Sequence, residues 1–236
     1  MITRDLTRSE AHSFLHSGAL LGLGLENCLV AWGALESFDT PRNNISNSSE
    51  AAFYLPDFFL EYKKPWVRFE NTAITRRDRL ASLLSEFSNQ PELDLRWQMP
   101  ARSEFKEKFD LVQSAIQQNE IRKAVPVVFA RAKCTLTVPM RARVIGHVLM
   151  EAKKPTPYGF WTSDEGVLGA TPEKLFSYDV REGVLETMAL AGTRSSALEV
   201  KSSLVNDPKE MFEHALVIKG LKEKLRPLGD LSVLKR

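Results

Sequence analysis

The sequence predicts an α+β fold, an antiparallel β-sheet flanked by helices. Two observations carry this. Four strand-like runs, Tyr158–Thr162, Val167–Gly169, Leu175–Tyr178 and Val184–Leu190, follow one another across turns such as Asp164-Glu165-Gly166 and Arg181-Glu182-Gly183. Parallel strands need a crossover of about a dozen residues or more, so close succession means antiparallel pairing. Before and after them lie stretches with apolar residues at helical spacing, which pack as helices against such a sheet. A chain of 236 residues with 43% hydrophobic and 26% charged residues has the material for a real core.

In chain order, the polar opening is followed by an apolar run from Ala19 to Leu25. It is broken by glycines and far short of the roughly 20 residues that span a bilayer. Cys28–Gly33 reads as a strand, bounded by Glu26-Asn27 and Gly33. Asp39–Glu50, with Pro41, three asparagines and three serines, is a loop. Seven aromatics between Ala51 and Glu70 read as core or sheet-face residues. Arg77–Phe87 is a short helix with Leu80, Leu83, Leu84 and Phe87 on one side. Residues 88–102 are a connector between an N-terminal region, 1–102, and a second region, 103–236. Ser103 caps an amphipathic helix carrying Phe105, Phe109, Val112 and Ile116. Ala124–Ala130 and Cys134–Val138 are β-rich, Pro139 closes that stretch, and a helix follows over about Arg141–Glu151.

Charge and cysteine usage narrow the function classes. A net charge of +2 gives no case for nucleic acid. Cys28 and Cys134 stand alone, without a metal-binding or disulfide framework, which fits a reducing compartment. The charged N-terminus has no secretory core. The expectation is a cytoplasmic protein with no membrane partner.

Three runs carry residues with chemistry to offer: Leu168-Gly-Ala-Thr-Pro-Glu-Lys-Leu-Phe176, Met188-Ala-Leu-Ala-Gly-Thr-Arg194 and Asp207-Pro-Lys-Glu-Met-Phe-Glu-His214. The Gly192-Thr193 pair ends a strand-like stretch, where exposed amides and a hydroxyl can meet an anion. Asp207 suits a helix N-cap, Pro208 the first helical position and Glu210 the capping-box acid, with the helix continuing to about Leu225. Glu210 and Glu213, three apart, share a helix face. Spacing leaves two readings open, a capping acid beside a solvated one, or a hard-cation site completed by water and substrate oxygens. Lys123, in Ile121-Arg-Lys-Ala-Val125, is a surface lysine, or a base if its environment depresses its ordinary value near 10.4. Glu173, after Pro172, is a turn carboxylate, or a general acid if a cleft holds it.

In this order the motifs resemble the chorismate-binding family: isochorismate synthase, salicylate synthase, and the first components of anthranilate and aminodeoxychorismate synthase. The resemblance covers residues 103–236 and is weak before them. It implies that Lys123 is the base that activates water, where anthranilate synthases place a glutamine. It implies that Glu173 protonates the departing C4 hydroxyl and that Gly192 and Thr193 contact the substrate carboxylate. Glu213 becomes a Mg2+ ligand, with Glu210 beside it and acting through water. Ala191 stands where aminodeoxychorismate synthases carry a lysine. The implied protein is a Mg2+-dependent isochorismate synthase serving menaquinone or siderophore biosynthesis, with chorismate as its small-molecule substrate. The alternatives are a salicylate synthase, another enzyme of the family, or a non-catalytic remnant that acts as a binding module. One local departure is Ser195-Ser196-Ala197 in place of the family's Pro-Arg-Gly after Gly-Thr-Arg. Family members continue beyond the equivalent of Arg236 with a second half that supplies another magnesium carboxylate and Arg and Tyr contacts. The resemblance therefore implies that this chain holds the first half of the fold and one side of the site.

Overall fold

The computed structural model describes residues 3–40, 51–88, 95–152, 154–192 and 206–233. Among them it is an α+β protein. Helix α1 (Arg8–His16) leads into β1 (Gly18–Leu23), β2 (Asn27–Phe38), β3 (Ala52–Tyr54), β4 (Trp66–Arg76) and α2 (Arg77–Ser85). There follow α3 (Arg102–Gln117), α4 (Val138–Glu151), β5 (Thr156–Trp161), β6 (Gly166–Thr171), β7 (Ser177–Asp179), β8 (Val184–Glu186) and α5 (Pro208–Leu225).

Six strands form one sheet in the order β3-β4-β2-β1-β5-β6, every neighbouring pair antiparallel. The pairing of β1 with β5, Gly18 opposite Trp161 and Leu20 opposite Gly159, joins strands from both sides of residue 102 into this sheet. β7 and β8 pair only with each other, as a separate two-stranded ribbon.

The core follows from strand alternation. Leu20, Cys28, Val30, Trp32, Ala73 and Trp161 face α1, α2 and α4, which contribute Phe14, Leu15, Leu80, Leu84, Ala142, Ile145 and Leu149. Ala19 and Ala31, on the opposite face, join Val67 and Phe69 in a smaller cluster, with Phe53, Leu55 and Phe160 packed against it. Polar side chains tie these elements together. Trp161 Nε1 donates to Phe14 O at 2.7 Å while the two rings meet edge to face at 4.9 Å. Arg141 on α4 donates to Leu15 O and His16 O at the end of α1 and to Thr162 O and Ser163 O in the β5–β6 turn.

Several elements differ from the sequence expectation. The opening is a helix with a complete capping box: Glu10 N donates to Thr7 Oγ1 at 3.3 Å and Thr7 N to Glu10 Oε2 at 2.8 Å. The glycine-broken run before Leu25 is β1. α3 begins one residue before Ser103 with Ala101 as its N-cap and no side-chain cap bond, and none of its residues is buried.

The expected strands Ala124–Ala130 and Cys134–Val138 do not form. Apart from a single bridge, Gln98 with Arg131, the segment has no ladder, and Val125, Val127 and Phe129 are exposed. β-propensity becomes a strand only where another strand accepts its hydrogen bonds, and the described residues offer none here. Pro139, expected to close the stretch, instead lies in the first turn of α4, where its missing N–H costs nothing and Thr137 caps the helix.

Candidate active site

The residues singled out by the motifs sit outside the packed sheet. α5 organises them. Asp207 Oδ1 accepts from Lys209 N at 2.9 Å and Glu210 N at 3.3 Å, and Pro208 opens the first turn, as the sequence requires. No residue of α5 is buried, so these local contacts weigh heavily in fixing where the helix starts.

From that start, Glu210 and Glu213 lie on one face and both engage ammonium groups. Glu213 Oε1 is 2.6 Å from Lys123 Nζ, and its Oε2 is 4.0 Å from Lys209 Nζ. Glu210 Oε1 accepts from Lys209 Nζ at 2.8 Å, and its side chain is only 13% exposed. Glu210, at the capping-box position, thus turns its carboxylate to Lys209. The hydrogen bond from Lys123, reinforced by its charge, holds the Glu213 carboxyl below the usual carboxylate range. The hydrogen bond to Glu210 raises Lys209.

Lys123 reaches α5 from the coil after α3. His214, next to Glu213, places Nε2 3.2 Å from Ala189 O and so ties α5 to the chain leading to Gly192. Gly192 has φ +90°, a left-handed conformation that glycine adopts without a Cβ clash. Thr193 lies outside the described residues.

Glu173 stands apart from this cluster. It follows β6 in a tight turn in which its N–H donates to Thr171 Oγ1 at 3.1 Å, and its side chain is exposed. It approaches α5 only through the chain. Lys174 N contacts Met188 Sδ at 3.3 Å and Thr187 Oγ1 donates to Leu175 O at 2.6 Å, so the turn lies beside the segment that His214 grips.

The structure therefore brings together Lys123, Glu210 and Glu213, tethers Gly192 nearby through Ala189, and leaves Glu173 exposed at the neighbouring turn. Two participants had no assigned role in the sequence reading, Lys209 and His214. The available signals were the Lys209–Glu213 spacing of four on a helix face and the histidine directly following Glu213.

Among the described residues no group of three or more His, Cys, Asp and Glu side chains is arranged to hold a metal ion. A Mg2+ ion that keeps several waters needs only one or two protein carboxylates. The pair on α5 fits that smaller requirement in kind, since it already draws two ammonium groups to its oxygens. A surface recess lined by Glu26, Arg76, Arg77, Asp78 and Met150 lies elsewhere and contains none of these residues.

The start of α5 thus gathers a lysine and two carboxylates, with Gly192 three residues beyond the carbonyl that His214 meets. The family model "chorismate binding enzyme" matches residues 10–235, and the chain belongs to that family. The match takes in the six-stranded sheet as well as the motif region. Anthranilate synthase component 1 of Serratia marcescens is 27% identical over 121 residues, which cover 45% of this chain and 22% of that protein. No solved structure matches significantly. No helix among the described residues is long and apolar enough to cross a membrane.

Proposed function

We propose that this chain forms one side of the active site of an isochorismate synthase acting on chorismate. What carries the reading is the contact between Lys123 and Glu213: the lysine expected as base and the carboxylate expected as metal ligand come from distant parts of the sequence and meet at 2.6 Å. Lys123 in place of a glutamine favours water over ammonia as the nucleophile, and Ala191 in place of a lysine favours this branch over the aminodeoxychorismate synthases.

In the reaction, Lys123 takes a proton from water as its oxygen bonds to C2 of chorismate. The ring double bonds shift, the C4–O bond breaks, and the departing hydroxyl takes a proton from Glu173. Gly192, with Thr193, orients the ring carboxylate through amide and hydroxyl donors. Glu213 and Glu210 would hold Mg2+, which would supply charge neutralisation at that carboxylate. Lys123 must leave its pair with Glu213 to act as a base. We place the reaction in the cytoplasm.

The test is incubation of the chain with chorismate and Mg2+, with products resolved chromatographically. Isochorismate formation that Lys123→Ala abolishes while circular dichroism stays unchanged supports the assignment. Full turnover by Lys123→Ala sinks the base role. Salicylate with pyruvate as the products identifies a salicylate synthase instead. The Serratia relative supports a second reading, an anthranilate synthase component, and anthranilate formation in ammonium salt at alkaline pH would favour it. Chorismate binding without turnover identifies a binding module.

A further inference from the structure

We infer that the carboxylates of α5 form a cation-exchange site, in which the ammonium groups of Lys123 and Lys209 hold the position that a divalent ion takes, so that metal entry and release of Lys123 are a single event. This rests on the reading of Glu213 and Glu210 as metal ligands given above.

The two negative charges are matched one to one. Glu213 Oε1 faces Lys123 Nζ at 2.6 Å, Glu210 Oε1 faces Lys209 Nζ at 2.8 Å, and Lys209 Nζ also stands 4.0 Å from Glu213 Oε2. Lys209 is thus drawn to both carboxylates. Mg2+ approaches its oxygens to about 2.1 Å, closer than an ammonium. A dication bound that tightly to Glu213 repels a lysine ammonium held on the same carboxylate. The lysines and the metal therefore compete for the same charge.

The two lysines differ in what their departure does. Lys209 is on α5 itself and 78% exposed, so it swings into solvent without moving the backbone. Lys123 belongs to the coil after α3, and its bond to Glu213 ties that segment to α5. Its release untethers residues 121–125 from the helix. Coupling of this kind is reciprocal: the metal weakens the Lys123 tie by the factor by which Lys123 weakens the metal. The exchange also fixes an order, since Lys123 becomes available to a substrate only after the cation has replaced it.

Two measurements that do not use turnover test this. The first is Mg2+ affinity by calorimetry, with Mn2+ and electron paramagnetic resonance as a second probe, on the wild-type chain, Lys123→Met, Lys209→Met and Lys123→Arg. Each methionine variant should bind Mg2+ more tightly, by up to about fivefold, the upper end for removal of one solvent-exposed competing charge. Lys123→Arg should bind as the wild type does, and in a Glu213→Gln background Lys123→Met should give no gain. The second is hydrogen exchange at residues 121–125. Mg2+ should speed it in the wild type and leave it unchanged in Lys123→Met. Equal affinities in wild type and both methionine variants, or slower exchange on adding Mg2+, overturns the exchange while leaving the metal site standing. Absence of Mg2+ binding in every variant at several millimolar overturns the metal reading and the exchange together.

Discussion

Arg77 offers the sharpest test of how the scaffold is held. Its side chain is 5% exposed, and its guanidinium donates to Ala152 O at 3.0 Å, Gly24 O at 2.6 Å and Asn27 O at 3.3 Å. Three separate pieces meet there: the β1–β2 turn, the end of α4 and the first residue of α2. The fit is close enough that a Cβ on Gly22 would stand 2.5 Å from Arg77 Nη2. A hydrogen bond from a charged donor contributes about 1.5–3 kcal/mol. The bond to Ala152 O is buried, whereas the other two are part-buried, so water replaces some of their loss. Removing the guanidinium also relieves the cost of keeping a charge out of water. Arg77→Met, which keeps most of the aliphatic stem, should therefore destabilise the fold by about 2–4 kcal/mol, a large part of the 5–15 kcal/mol typical of a domain. Urea unfolding followed by tryptophan fluorescence measures the shift, and hydrogen exchange at the end of α4 and in the β1–β2 turn should rise together. Arg77→Lys should recover part of the loss, because one ammonium reaches fewer of the three carbonyls. A loss below about 1 kcal/mol for Arg77→Met would mean that packing alone positions these elements, against the hydrogen-bond argument.

Glu10 makes the start of α1 acid-sensitive. Hydrogen bonds from Arg4, then from Thr7, hold its carboxyl at about 2, against an ordinary 4.5. A depressed carboxylate stabilises the fold fully above pH 4.5, and this contribution is lost as pH falls through about 2. Because Arg4 is 43% exposed, screening limits the contribution to about 1 kcal/mol. Glu10→Gln should lower stability by that amount at pH 6, and the two unfolding curves should converge near pH 2; a constant gap down to pH 2 would contradict the assignment. Asp207→Ala removes the cap of a helix with no buried residue, so the first turn of α5 should fray by about 1 kcal/mol, seen as roughly fivefold faster amide exchange at Lys209 and Glu210. Unchanged exchange there would mean that contacts elsewhere hold the helix start.

The parts of the fold legible in the sequence were those whose cause is local. The spacing of Leu80, Leu83 and Leu84 marks α2, and Asp207-Pro208 marks the start of α5 to the residue. The short turns after β5 and β7 fix antiparallel neighbours. Two local signals were present and unused. Thr7-Arg-Ser-Glu10 is a capping box in plain sequence, and it begins a helix. Gly18–Leu23 looks poor as a strand because of its glycines, yet Gly22 is what admits the guanidinium of Arg77. What was not legible depends on distant partners. The run from Ala124 to Ala130 has the composition of a strand and none of the pairing, whereas β1, with a weaker composition, is flanked by β2 and β5 and is a central strand. Strand identity is decided by the neighbour that accepts the hydrogen bonds, and no local window contains that neighbour.

The same division runs through the site. Glu210 and Glu213 are placed on one face by helical spacing, which any window of four residues shows. That Lys123 lies against them is a tertiary fact, and spacing alone gave Lys123 an ordinary surface role. The contact also changes what the carboxylates mean. Read as spacing, they are either a cap and a solvated acid or a hard-cation site; in the structure they are paired with ammonium groups of the chain itself. A lysine bound in this way serves as a base only when something else neutralises Glu213. If Mg2+ does so, metal dependence follows from freeing the base as well as from steadying the substrate carboxylate. The two contributions separate in Glu213→Gln, which lacks the charge that holds Lys123. That variant should lose Mg2+ affinity, yet its residues 121–125 should exchange as fast without metal as the wild type does with it. Slow exchange in metal-free Glu213→Gln would show that Lys123 is held by something other than this carboxylate.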